Sequence, residues 1–317
     1  MLKSLAKRLP HPLLMRLHQR YQLARQSALA REISGRTGLP LLETLDLTPL
    51  KSSDTVFILG SGWSINEIGD ERWKVIGRHD SIAMNFWPAH AFVPRIYLFE
   101  NVARSPGYEL VFDALQGLLQ RRTQDYRNTV KIVSELQPLD SRQLILEIPH
   151  TFRPNLYVGY SAGVVARTEQ ELIAGLRYLC QKRVFASGDR ISWHFKYQSS
   201  VTAAISLAVR MNYRRIVLCG VDLGDAEYFY QHRQKYPEAC NWQFVPRDQP
   251  HLMARRYEWG LPAQEAIYLF KQEVLDPAGI ELFVENRSSK LFPRIPEASP
   301  QLFEQLAAFG PKCQRQC

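Results

Sequence analysis

No run of 18 or more apolar residues occurs in the sequence, which excludes a chain built to cross a bilayer as a helix. The cysteines are Cys180, Cys219, Cys240, Cys313 and Cys317, an odd set without CxxC spacing. That excludes a disulfide framework and a cysteine zinc site, and it fits free thiols in a reducing compartment. Cys219, inside an apolar run, reads as a core residue. A GxGxxG turn is missing, because Gly60-Ser61-Gly62 runs into Trp63-Ser64-Ile65, and there is no Walker phosphate loop. An Asp-x-Asp pair of the kind that shares a divalent cation is also lacking, and neither internal repeat nor low-complexity tract is present. What the chain does have, with 45% hydrophobic residues over 317 positions, is enough apolar material for one large core, or one core and a smaller lobe.

The net charge of +9 is unevenly placed. Residues 1–36 hold eight basic side chains against the single acid Glu32, a local balance of +7. A nucleic-acid enzyme spreads its basic residues over the body that grips phosphates, whereas this body is nearly neutral, so no nucleic-acid partner is expected. The front does not read as a secretory signal, since Leu13, Leu14 and Met15 are soon followed by Arg16, His18 and Arg20. Leu2, Leu5, Leu9, Leu13, Leu14 and Leu17 recur at near-helical spacing, interrupted by Pro10 and Pro12. Such a basic, apolar segment either lies on an anionic inner leaflet or packs as a helix on the body.

The expected organisation is a basic extension over 1–53, a main domain over 54–300 and a tail over 301–317. From Asp54 onward, short β-branched runs alternate with helical patterns, the mark of βαβ units around a parallel sheet. The strands are expected at Thr55–Leu59, Ser81–Met84, Ile96–Phe99, Val130–Val133, Arg215–Asp222 and Ile280–Val284. Helices are expected at Tyr108–Leu119, Glu169–Leu179, Ser199 or Ser200 to Met211, and Ala263–Leu275. The rest of 150–198, rich in Arg, Tyr and Trp, reads as loops and as a lid-like insertion.

Several of these strands stop at polar residues, where parallel sheets bind ligands. The first ends in Gly60-Ser61-Gly62, a turn that lets backbone N–H groups come close to a phosphate or ribose. The second ends at Asn85 and the third at Glu100-Asn101. Ser199 and Ser200 open a helix whose N-terminus can cradle an anion. The strand ending Gly220-Val221-Asp222 is followed by Tyr228-Phe229-Tyr230, a source of phenolic donors. Asp222 and Asp225, three apart, suit capping or a ribose contact better than a shared metal.

In this order, Ile58 to Ile68 with its Gly60-Ser61-Gly62 turn, Ala83-Met84-Asn85, Phe99-Glu100-Asn101, Ser199-Ser200 and Cys219 to Leu223 resemble the bacterial sialyltransferases of glycosyltransferase family 42 and related CMP-sugar transferases. The resemblance covers about 55–292 in islands. It implies a Rossmann-like, GT-A-like single α/β body without cofactor or metal, acting on a CMP-sugar donor and a glycan or lipopolysaccharide acceptor at the inner face of the bacterial membrane. The donor sugar would be sialic acid-like or 3-deoxy-manno-octulosonate. Gly60, Ser61, Gly62, Ser64, Asn85, Asn101, Ser199, Ser200, Gly220 and Asp222 would contact the donor, with Ser61 standing where the family has Asn. Tyr228 and Tyr230 would assist phosphate departure. His251 would be the base, with Glu258 at the alternative spacing and His232 as second choice. The family's carboxylate-binding Arg has no counterpart, Arg190 or Lys196 being the substitutes. The same core occurs in archaeal pterin diphosphokinase-like proteins, which leaves ATP-dependent pyrophosphate transfer as an alternative, beside a non-catalytic glycan-binding protein.

Overall fold

A computed structural model describes residues 11–105, 108–138, 142–188, 190–224, 227–239, 242 and 260–308. In chain order the main elements are α1 (His11–Thr37), β1 (Thr55–Leu59), α2 (Asp70–Arg78), β2 (Asp80–Met84), β3 (Ile96–Glu100), α3 (Glu109–Arg121) and β4 (Val130–Ser134). Then follow α4 (Leu144–Glu147), β5 (Leu156–Val158), β6 (Ser161–Ala162), α5 (Glu169–Gln181), β7 (His194–Phe195) and α6 (Ser200–Arg210). The last are β8 (Arg215–Cys219), α7 (Ala263–Phe270), β9 (Glu281–Val284) and α8 (Pro300–Ala308).

Seven strands form one sheet in the order β5-β4-β3-β2-β1-β8-β9, every neighbouring pair parallel. This is a Rossmann-like α/β fold. Because both faces of a parallel sheet are covered, its central strands are buried along their length rather than on alternate residues, and β1, β2 and β4 are buried at each position. Successive side chains still sort to opposite faces. Val56, Ile58, Met84, Leu98 and Leu218 join the core beneath α5, α6 and α7, while Phe57, Leu59, Ala83, Phe99 and Cys219 join the core beneath α2, α3 and α8.

The structure differs from the sequence reading at four places. The basic front is built into the body: α1 buries Met15 against one face of the sheet and Leu29, Ala30 and Ile33 against the other. The chain behind it pairs with the β5 edge, Val158 N donating to Pro40 O at 2.9 Å, which closes an edge that would otherwise be open to association. The stretch 150–198 supplies β5, β6, β7 and α5, and none of its described residues lines the cavity at the carboxyl ends of β1 and β8. In the expected tail, α8 packs Leu302, Phe303 and Leu306 into the core. The strand expected to reach Asp222 stops at Cys219 because Gly220 turns into the left-handed region, at φ 64°.

At the amino edge of the sheet, Asp80 is almost wholly buried. A buried carboxylate needs partners, and it receives Ser52 N, Ser52 Oγ, Ser53 N, Tyr213 Oη and the Arg95 guanidinium. These bonds tie the connector before β1 to β2 and leave the opposite, carboxyl edge for the crevice.

His194 has no exposure, and neither ring nitrogen has a hydrogen-bond partner. Burial, with Lys196 and Arg210 nearby, holds its pKa down to about 3 from 6.5. The folded state therefore keeps it neutral while the unfolded chain takes up a proton below pH 6.5, so stability is present above that pH and lost as pH falls toward 3. Replacing His194 with leucine should reduce the stability lost between pH 7 and pH 4.5 by about 2–3 kcal/mol, read from urea denaturation midpoints. An unchanged pH slope would show that this histidine does not carry the acid sensitivity.

Candidate functional site

The direction of strand addition reverses between β1 and β8, and in open parallel sheets ligands bind at that switch, beyond the carboxyl ends. A cavity of about 270 Å³ opens there. Its polar floor is the two glycine turns, Gly60-Ser61-Gly62 after β1 and Gly220-Val221-Asp222 after β8. Asn85 and Glu100 contribute from the ends of β2 and β3, and Ser199 and Ser200 from the start of α6. Val102, Val111 and Leu115 form an apolar side, and Phe86, Tyr228 and Tyr230 an aromatic one.

The two turns are hydrogen-bonded to each other: Gly60 N donates to Cys219 O and Gly62 N to Gly220 O, both at 2.8 Å. This approach leaves no room for side chains. A Cβ on Gly60 would overlap the Gly220 carbonyl, and one on Gly62 would overlap the Asp222 carboxylate. Asp222 is fixed in turn by Ser64, whose Oγ donates to Oδ1 at 2.5 Å and whose N–H donates to Oδ2 at 2.9 Å. Ser64 thus stands behind the cavity and sets the orientation of a residue that lines it.

β2 ends because Asn85 adopts φ 49°, a left-handed conformation that asparagine tolerates better than most residues. The turn aims its side chain at α6, where Nδ2 donates to Ser200 Oγ at 3.2 Å. Ser199 caps α6 by accepting from Thr202 N. Ser200 Oγ donates at 2.6 Å to Glu100 Oε1, and Lys196 Nζ donates to the same oxygen at 2.8 Å. Lys196 also pairs with Glu135 at 3.0 Å, and Glu135 accepts from Ser161 Oγ. Glu135 stands at φ 60°, which costs a non-glycine residue about 1–2 kcal/mol; the two bonds to its carboxylate hold it there.

Burial alone would push the Glu100 carboxyl up, but the Lys196 ammonium and the Ser200 hydroxyl outweigh it and bring the group below the usual range. Burial likewise works against the Lys196 charge, and the two glutamates outweigh it and raise that pKa. The link is therefore ionic near neutral pH. Tyr228 and Tyr230 stack with ring centroids 5.1 Å apart. Burial pushes Tyr228 up to about 12 and raises Tyr230 well above its ordinary value, so both phenols keep their protons and stay donors.

Ten of the residues singled out by sequence line this one cavity: Gly60, Ser61, Gly62, Asn85, Ser199, Ser200, Gly220, Asp222, Tyr228 and Tyr230. Asn101 does not. It is buried on the other side of the sheet, donating Nδ2 to Gln143 Oε1 at 2.6 Å and accepting from Ile145 N at 3.1 Å, where it braces α4. Consecutive residues at a strand end face opposite ways, so Glu100 shares a side with Leu98 and α6 while Asn101 shares one with Phe99. Of the pair at this strand end Glu100 lines the cavity and Asn101 does not, a difference carried by the two-residue period of β3. Lys196 is committed to the two glutamates rather than exposed to a ligand, and Arg190 and His232 lie off the cavity, His232 stacked on Trp63 at 5.5 Å. His251, Glu258 and Asp225 lie outside the described residues. Among the described lining residues the charged side chains are Glu100, Asp222 and Glu227.

Gly62→Ala should force the turns apart and cost about 1–3 kcal/mol, as overpacking does. A melting temperature equal to the parent's would show that the turns can separate freely.

No protein-family model matches the chain and no curated protein matches it in sequence, so the geometry of the crevice carries the functional argument.

Proposed function

We propose that the chain is a glycosyltransferase that takes an acidic sugar, sialic acid-like or 3-deoxy-manno-octulosonate, from a CMP donor and places it on a hydroxyl of a surface glycan such as lipopolysaccharide. The supporting observation is convergence. Five separate stretches, 60–62, 85, 199–200, 220–222 and 228–230, meet around one cavity at the switch point of the sheet. Its size lies near the roughly 300 Å³ at which small-ligand pockets begin.

In this reading the nucleotide lies across the two glycine turns, with Asp222 held by Ser64 in a fixed orientation toward it. The acceptor oxygen forms a bond to the anomeric carbon as the bond from that carbon to the phosphate oxygen breaks. CMP leaves with the electron pair, the anomeric centre inverts, and the acceptor proton passes to a base, for which His251 is the candidate. Tyr228 and Tyr230, protonated at neutral pH, are donors suited to the charge that builds on the departing phosphate. A sugar carboxylate would be met by backbone N–H groups, or by cations from outside the described lining, because Lys196 is engaged by Glu100 and Glu135.

The test is a thermal-shift panel with CMP, CDP, UDP, GDP and ATP, each with and without magnesium. CMP should stabilise the protein without metal, by about 2.7 kcal/mol when present at a hundred times its Kd. A shift seen only with ATP and magnesium would overturn the reading in favour of pyrophosphate transfer. With CMP-sugar turnover in hand, Tyr228→Phe should lower kcat by about 10²–10³ and leave CMP affinity within a few-fold. An unchanged kcat would remove this phenol from the departing phosphate.

A further inference from the structure

Helix α1 presents apolar side chains on two opposite faces, and among the described residues only one of them is buried against the body. The inner face buries Met15, Leu29, Ala30 and Ile33. On the outer face Leu13, Leu17 and Tyr21 are 43%, 47% and 62% exposed. Their spacing of four residues aligns them as one stripe along the helix. The other large hydrophobics exposed among the described residues, Tyr108, Leu110 and Val165, belong to other parts of the chain.

The stripe is bordered by arginine. At 100° per residue, Arg16 and Arg20 fall along one flank, Arg25 and Arg36 along the other, and Arg31 continues the stripe itself; all five are exposed. Glu32 is the only acid in the helix. The Arg16 guanidinium lies over the Tyr178 ring, 5.0 Å from its centroid, and Arg31 donates to Ser27 Oγ, so neither charge is neutralised by a carboxylate in these contacts.

We propose that the outer face of α1 docks on the surface of an anionic lipid bilayer. A row of Leu, Leu and Tyr at the crest of a convex helix, with guanidinium groups on either side, is the arrangement in which apolar tips enter the headgroup boundary while long basic side chains reach phosphates beside them. Each arginine held near an anionic leaflet strengthens partition roughly fivefold. A convex cylinder about 40 Å long suits a flat surface. The inner face is anchored, so the docking face is a fixed platform on the α/β body rather than a loose tail. Gln26 Nε2 donates to Leu136 O at 3.2 Å, just past the carboxyl end of β4, so the platform lies beside the same edge of the sheet as the crevice. The inference is independent of the transferase reading and does not need it to hold.

The experiment is co-sedimentation of the full chain with phosphatidylcholine vesicles, with and without phosphatidylglycerol, at low and high salt. Binding is expected to the anionic vesicles alone and to weaken at high salt. Two double variants at exposed positions, Leu17→Ser with Tyr21→Ser and Arg20→Gln with Arg25→Gln, should each reduce partition at least tenfold while the melting temperature stays at the parent value. Absence of binding by the parent chain would overturn the proposal, as would parent-like binding by both variants. Deletion of residues 1–10 provides the remaining control. Full loss on that deletion, with both α1 variants still binding, would place the contact in the preceding segment and overturn the assignment to α1.

Discussion

The molecule is organised around the close crossing of two turns. The loops leaving β1 and β8 share hydrogen bonds from Gly60 and Gly62 to the carbonyls of Cys219 and Gly220. That crossing fixes the centre of the sheet, since β1 and β8 are neighbours whose loops cannot part without losing both bonds. It also brings Asp222 within reach of Ser64 and lets the aromatic segment return across the turn, where Phe229 N donates to Ser61 O at 3.0 Å. The requirement for glycine here is a requirement for close contact between the two turns, since a Cβ on Gly60 or Gly62 would run into the opposing turn.

Around this centre the sheet is protected in different ways at its two ends. On the β9 side the chain continues into a loop that folds back on the strand, Val284 N of β9 donating to Pro296 O, and α8 then returns to pack on α2 and β1. On the β5 side a three-residue strand is covered by α1 and by the connector after it. A short edge strand with a helix laid across it is a common solution to unpaired edge groups. It explains why a segment so basic and so irregular in its apolar spacing belongs to the fold at all.

Much of this was legible in the residues. β-branched runs located six of the seven strands of the main sheet, and polar residues at strand ends located the crevice. The period of two was available at β3 and would have preferred Glu100 to Asn101. Other features carried no such signal. β5 has three residues and β6 and β7 two each, too few for a period to be counted. The partnership of Lys196 with Glu100 and Glu135 joins residues 96 and 61 positions apart in sequence, and only the topology brings them together. The two apolar faces of α1 oppose each other, so the helix shows no single amphipathic stripe, and its inner and outer roles separate only once the body is in place.

The link from Ser200 and Lys196 to Glu100 has a consequence for how the crevice meets a charged guest. The N-terminus of α6 and the ammonium beside it already have anionic partners supplied by the chain itself, Glu100 for both and Glu135 for Lys196 as well. A negatively charged ligand that reached this helix end would enter by exchange, displacing one carboxylate from its contacts rather than filling an uncompensated positive site. Recognition by exchange depends on what the displaced group does next. A glutamate released from the helix end would regain a free acceptor oxygen, so the helix end and the carboxylate that guards it would change their bonding together.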